Sequence, residues 1–145
     1  MTKFIDVQAA IVSKLRKIDP EVEINSSDIE EGFKRPCFYV DILNGKVNNL
    51  MDKFQEKNLE FDILYFPKHP KKNQIDLLEM RDKLTESFVE NSYFNITDDL
   101  VVQATDVDIF EVDKVLHCKF NIFISEEYVR TYEHNMEELE FKEGS

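Results

Sequence analysis

The stretch that decides the fold is residues 34–67, KRPCFYVDILNGKVNNLMDKFQEKNLEFDILYFP. Two strand patterns lie inside it, residues 36–44 and 54–66. In the second, Leu59, Phe61, Ile63 and Tyr65 alternate with Asn58, Glu60 and Asp62, the two-residue period of a strand with one buried and one wet face. In the first, Phe38, Val40 and Ile42 share a face, and Cys37, Tyr39, Asp41 and Leu43 share the other. Pro36 sets an extended start and removes one ladder donor. Asn44-Gly45 is a tight-turn dipeptide, yet clean alternation resumes only near Phe54. Residues 46–53 are therefore either a continuation of both strands beyond the body or a flexible loop, and we read them as a protruding, mobile hairpin or loop.

Working outward towards the N-terminus, Phe4, Val7, Ile11, Val12, Leu15 and Ile18 recur at three- and four-residue spacing, one stripe of an amphipathic helix. Asp19-Pro20 stops it. Residues 22–25 alternate as a brief strand, and Ser26, Ser27 and Asp28 are turn or cap residues ahead of IEEGF, where Gly32 suits a positive φ. Towards the C-terminus, Phe66-Pro67 ends the strand and KHPKK leads to a helix capped by Asn73. Ile75, Leu77, Leu78, Arg81, Leu84, Phe88 and Val89 trace this helix to about Asn91, with the Arg81 stem along the edge of the stripe. A short strand, 93–96, and a turn at Thr97-Asp98-Asp99 precede two strands, 100–112 and 115–125, that meet at Asp113-Lys114. In the last, Leu116, Cys118, Phe120, Ile122 and Ile124 face one way, which makes it the best candidate for a central strand after 59–66. The order predicts an α+β fold, a mainly antiparallel sheet with two principal helices packed on one face.

With 145 residues, the chain suits one domain, residues 1–132, followed by an acidic, frayed tail at 133–145. Its hydrophobic content of 42%, with 12 Phe, is globular, and 3 Gly and 4 Pro leave little room for linkers. The formal charge of −12, from 30 acidic and 18 basic residues, argues against sequence-specific nucleic-acid binding, which needs a basic stripe. No signal peptide and no membrane-length apolar run is present. Cys37 and Cys118 form no CxxC pair and read as buried free thiols in a reducing compartment.

Catalytic chemistry finds no support in the spacing. His69, His117 and His134 are scattered over a turn, a strand and the tail, and no HExxH, phosphate loop or GxSxG elbow occurs. Asp106, Asp108, Glu111 and Asp113 do not match a calcium loop and read as a solvated acidic strand edge that discourages edge pairing. Metal-dependent hydrolysis through Asp106 and Asp108 is the only enzyme reading that can be written. We expect neither catalysis nor a cofactor. One charge cluster stands out: Lys68, His69, Lys71 and Lys72 crowd before a helix N-terminus, where the dipole disfavours cations. A solvated loop is the first reading; the functional alternatives are the carboxylates of a neighbouring copy, in 98–113 or the tail, and then a phosphate contact.

Three runs carry a resemblance. EEGFKRPCFYV (30–40), EFDILYFP (60–67) and VLH (115–117) resemble the phage tail terminator family of Gram-positive prophages and phage-tail-like bacteriocins, a likeness that extends over most of the chain. Residues 46–57 and the acidic end depart from the pattern. The resemblance implies a fold similar to the lambda tail terminator and a homo-oligomeric ring, commonly of six subunits. Such a ring caps the head-proximal end of the tail tube, stops its growth, and meets sheath, neck or head proteins. It also implies assembly in the host cytoplasm and then residence in the tail; a head-completion or neck connector role is the alternative. Candidate contacts with a neighbour or the tube are Asn44, Gly45, Lys46, Asn48, Asn49, Lys53 and Lys57 in the long connection. Lys68, His69, Lys71 and Lys72 in the basic loop and Asp106 and Asp108 on the acidic strand complete the set.

Overall fold

The computed structural model describes residues 2–25, 34–50 and 54–127. The expected turn at Ser26–Asp28, Gly32, Lys53 and the acidic tail lie outside the described residues. The chain begins with α1 (Phe4–Ile18), whose Val7, Ile11 and Leu15 are buried at the predicted spacing. Phe4, also assigned to that stripe, is 40% exposed, because it lies one turn before the sheet's core and covers the long strands' far end instead. The strand β1 (Glu23–Asn25) follows, then β2 (Cys37–Leu50) and β3 (Phe54–Phe66). After α2 (Gln74–Thr85) comes a π-helical turn, Glu86–Glu90, and then β4 (Tyr93–Thr97), β5 (Leu100–Val112) and β6 (Val115–Glu127).

The six strands form one sheet in the order β1-β2-β3-β6-β5-β4. β1 runs parallel to β2, and every other neighbouring pair is antiparallel. The α+β expectation therefore holds. β3 and β6 are the central strands, and their alternating apolar residues, Leu59, Phe61, Ile63 and Tyr65 with Leu116, Cys118, Phe120, Ile122 and Ile124, are all buried. Both helices contribute to the same core: α1 through Val7, Ile11 and Leu15, α2 through Leu77, Met80 and Leu84, and the π-helical turn through Phe88. Phe120 stacks between Phe88 and Phe61, at ring-centroid distances of 4.9 and 5.8 Å. Burying side chains of this size contributes roughly 1.5–3 kcal/mol each, so this aromatic stack anchors the helical layer to the sheet.

Two sequence readings need correction. Asn44-Gly45 is not a turn, because both residues are inside β2, where Asn44 faces Glu60 and Gly45 faces Leu59. A bulge between Ile42 and Asn44 shifts the register there. A Cβ on Gly45 would sit 3.3 Å from Leu59 Cδ2, tight enough that the leucine must give way slightly, and in ordinary contact with Phe4 Cε1 at 3.5 Å. The two strands instead continue, paired as far as Leu50 and Phe54, which decides the choice at 46–50 in favour of strand continuation, while 51–53 lie outside the described residues. Across α2 and the π-helical turn, Ile75, Leu78 and Val89 are exposed and Met80 is buried, so the core stripe is Leu77, Met80, Leu84 and Phe88. Two apolar stripes overlap in that sequence, and only the one that meets β6 and β5 is covered.

Candidate interaction surface

The long β2–β3 connection was expected to stand away from the body. β6 accompanies it to its end, pairing Glu127 with Phe54, so the extension is a three-stranded ribbon. The start of the chain ties it down. Thr2 donates from its backbone N–H and its hydroxyl to the Glu126 carboxylate at 3.0 and 2.8 Å. Lys57 is buried; its ammonium donates to the Thr2 carbonyl and lies 5.9 Å from the centre of the Phe4 ring. That placement corrects Lys57 as a contact residue: its charge is used inside the subunit. Asn44, Lys46, Asn48 and Asn49 remain on the exposed stretch of β2.

The basic loop is at the opposite end of β3. Lys68, His69, Lys71 and Lys72 are all exposed, and the loop is held from below by Asn73. Asn73 caps α2 by position but not with its side chain; its Nδ2 donates to the carbonyls of His69 at 3.0 Å and Lys114 at 3.3 Å. The β5–β6 turn is thereby fastened to the loop. Asp113 and Lys114 both have positive φ, 52° and 65°, the two-residue hairpin geometry that matches strand twist. Beside the loop, Ile75 and Leu78 expose apolar side chains on α2, 74% and 53% accessible. They belong to the same exposed surface and were missed because they resembled core positions. Their sequence signal was an apolar pair out of phase with Leu77, Leu84 and Phe88.

The acidic strand supplies the third part. A second bulge interrupts β5 between Thr105 and Asp108, and Asp106 takes a positive φ of 52° there. Asn121 Nδ2 donates to Asp106 at 3.2 Å, while Asp108 faces Lys119. Asp106 thus joins Asn44 and Lys46 around one shallow depression, bordered by Glu60 and Phe123, on the sheet face without helices. Asp108 and the basic loop lie outside it. On the same face His117 Nδ1 and Asp62 Oδ2 are 2.8 Å apart, and Phe110 stacks on the imidazole at 5.0 Å. His117 is half-buried and holds Asp62 in place. Among the described residues no group of three or more His, Cys, Asp or Glu could hold a metal ion.

The sheet edges bear directly on assembly. β1 covers β2 only at residues 37–39, and β4 covers β5 only at 100–103. Among the described residues no strand pairs with the outer edge of β2 beyond Tyr39 or of β5 beyond Gln103. Both edges interleave polar or acidic side chains with exposed apolar ones, Ile42, Leu43 and Val47 on β2 and Val112 on β5.

A larger groove, about 760 Å³, runs between α1, the π-helical turn and the start of β4. Lys14, Lys17 and Lys83 line it with Tyr93 and Phe94. Lys14 Nζ donates to the Asn91 carbonyl at 2.8 Å and sits 5.2 and 5.6 Å from the Phe94 and Phe88 ring centres. Burial, then the neighbouring Lys17 charge, lowers its pKa.

What fold and surface define is a class: an α+β subunit whose distinctive chemistry is in its edges, charged loops and grooves. The chain belongs to the phage tail terminator protein family, whose model matches residues 6–133, from α1 past the end of β6. No curated protein matches it. Family membership makes it a structural component of a phage tail that associates with other tail components. No helix among the described residues is long and apolar enough to cross a membrane.

Proposed function

We propose that this chain is one subunit of a homo-oligomeric ring, six-membered by the family resemblance, that caps the head-proximal end of a tail tube and stops tube and sheath growth. The subunit is a single domain over residues 1–132, assembles in the host cytoplasm, and has no catalytic step. The observation that carries the reading is the pair of sheet edges, on β2 and β5, left unpaired among the described residues of a chain of the terminator family. A closed ring needs two different, complementary surfaces on every subunit. One is the β5 edge with Asp106 and Asp108; the other is the basic loop of Lys68, His69, Lys71 and Lys72, extended by Ile75 and Leu78. The ribbon bearing Asn44, Lys46, Asn48 and Asn49 then faces the tube, where strand addition gives affinity through main-chain hydrogen bonds.

The test is to mix the protein with polymerising tube protein and measure tube lengths by electron microscopy. Short tubes with a ring at one end are expected. Unchanged lengths with no terminal density would overturn the reading, and rings that bind the portal side instead would identify a head-completion protein.

A further inference from the structure

The Lys14 groove is not accounted for by the ring surfaces, and its charge is out of character for a chain of net charge −12. The charged groups that face it are Lys14, Lys17, Lys83 and Glu86, with Lys83 also 3.4 Å from Asp19. Lys14 is already partly desolvated between two aromatic rings, so a carboxylate brought beside it recovers a charge interaction at little further cost.

The groove has a counterpart at the other end of the same seam. α1 and β4 lie alongside one another, the start of β4 by the end of α1. Where Thr97 meets the start of α1 there is a second depression, lined by Asp6, Asp99, Glu126 and Glu127. Glu127 is the last described residue of β6, so the remaining chain leaves from this acidic end. Residues 128–132 read YVRTY, one arginine and two tyrosines; residues 133–141 read EHNMEELEF, four glutamates interleaved with Met136, Leu139 and Phe141.

We propose that the chain's own C-terminal segment lies along the α1–β4 seam, with Arg130 beside the acidic depression and residues 133–141 docked on Lys14, Lys17 and Lys83. The charge order of the segment, basic then acidic, matches the order of the seam, acidic then basic. The reach also fits. From Asp6 to Lys14 is eight residues of helix, about 12 Å, and residues 128–132 extend as far as about 17 Å, so Glu133 arrives at Lys14.

The proposal does not depend on ring formation and is tested on the free full-length protein. A nitroxide is attached at Asn135→Cys, since Cys37 and Cys118 are buried, and backbone amide signals are read by NMR. Loss of signal confined to Lys14, Lys17, Tyr93 and Asn95, persisting on dilution and weakened by about 0.5 M salt, is expected. The same label in a Glu137→Lys/Glu138→Lys/Glu140→Lys chain, which leaves the groove untouched, should restore those signals. Uniform or absent signal loss overturns the proposal. So does loss that appears only when label and isotope are on different chains, which would place a second copy's tail in the groove.

Discussion

Three acids in the core are held in their neutral forms, and each makes the fold sensitive to alkali. Burial pushes the Cys118 thiol from 9.0 up to about 12, with Asp62 and Asp108 adding to the effect. Burial likewise raises Cys37. Tyr65 is raised by burial and by its hydroxyl's 2.8 Å hydrogen bond to the Asp76 carboxylate. A group whose neutral form is favoured in the fold releases its proton more readily once unfolded. Its stabilising contribution is complete below the unfolded value and is lost as pH rises towards the folded one. From these groups, stability to denaturant should be level between pH 7 and 9 and fall above the ordinary thiol value of 9.0. Urea unfolding at intervals through that range checks it; unchanged midpoints at high pH would contradict the buried, neutral state. The thiols' burial was legible from their apolar strand positions. Lys57 was not, because its partner is the Thr2 carbonyl, 55 residues away, and a lysine flanked by polar residues carries no local sign of that contact.

The strands of the sheet's centre were legible because a single period decides them. In β3 and β6 the apolar set is every second residue and only one face is covered, so sequence and burial agree residue by residue. α2 is different. Its apolar residues satisfy two stripes, and a π-helical step, in which the Asn91 N–H donates to the Glu86 carbonyl at 2.9 Å, shifts phase before the helical segment ends. A pair of substitutions separates the stripes. Met80, 2% exposed, sits against the sheet, and Met80→Ala should cost about 2–5 kcal/mol through the cavity it leaves. Leu78→Glu, at a site 53% exposed, should stay within about 0.5 kcal/mol of the parent. Chemical denaturation of the two variants measures both, and the reverse ranking would mean that the other face of α2 is packed. The β2–β3 ribbon was only half legible for a related reason: a bulge and a glycine break the alternation just where pairing continues.

At the scale of the whole molecule, neither the sheet order nor the uncovered edges can be read from strand patterns, since both depend on which strand stops short. β1 and β4 are brief, and among the described residues that brevity leaves β2 and β5 open at opposite sides of the sheet. If ring closure brings the basic loop of one copy to the acidic edge of the next, charge decides it, and reversal should act in a defined order. Lys71→Glu/Lys72→Glu should weaken self-association while leaving the fold intact, because both side chains are exposed and Asn73, not the lysines, fastens the loop. Adding Asp106→Lys/Asp108→Lys to the same chain should restore association, since every interface then again pairs opposite signs. Sedimentation at low salt reads both steps, and raising the salt towards about 0.15 M, where the screening length is about 8 Å, should narrow the difference. Association unchanged by the first pair removes the loop from the interface. Weakening that the second pair does not repair keeps the loop but assigns its partner elsewhere, with the Asn44 and Lys46 side of the ribbon next to be tested.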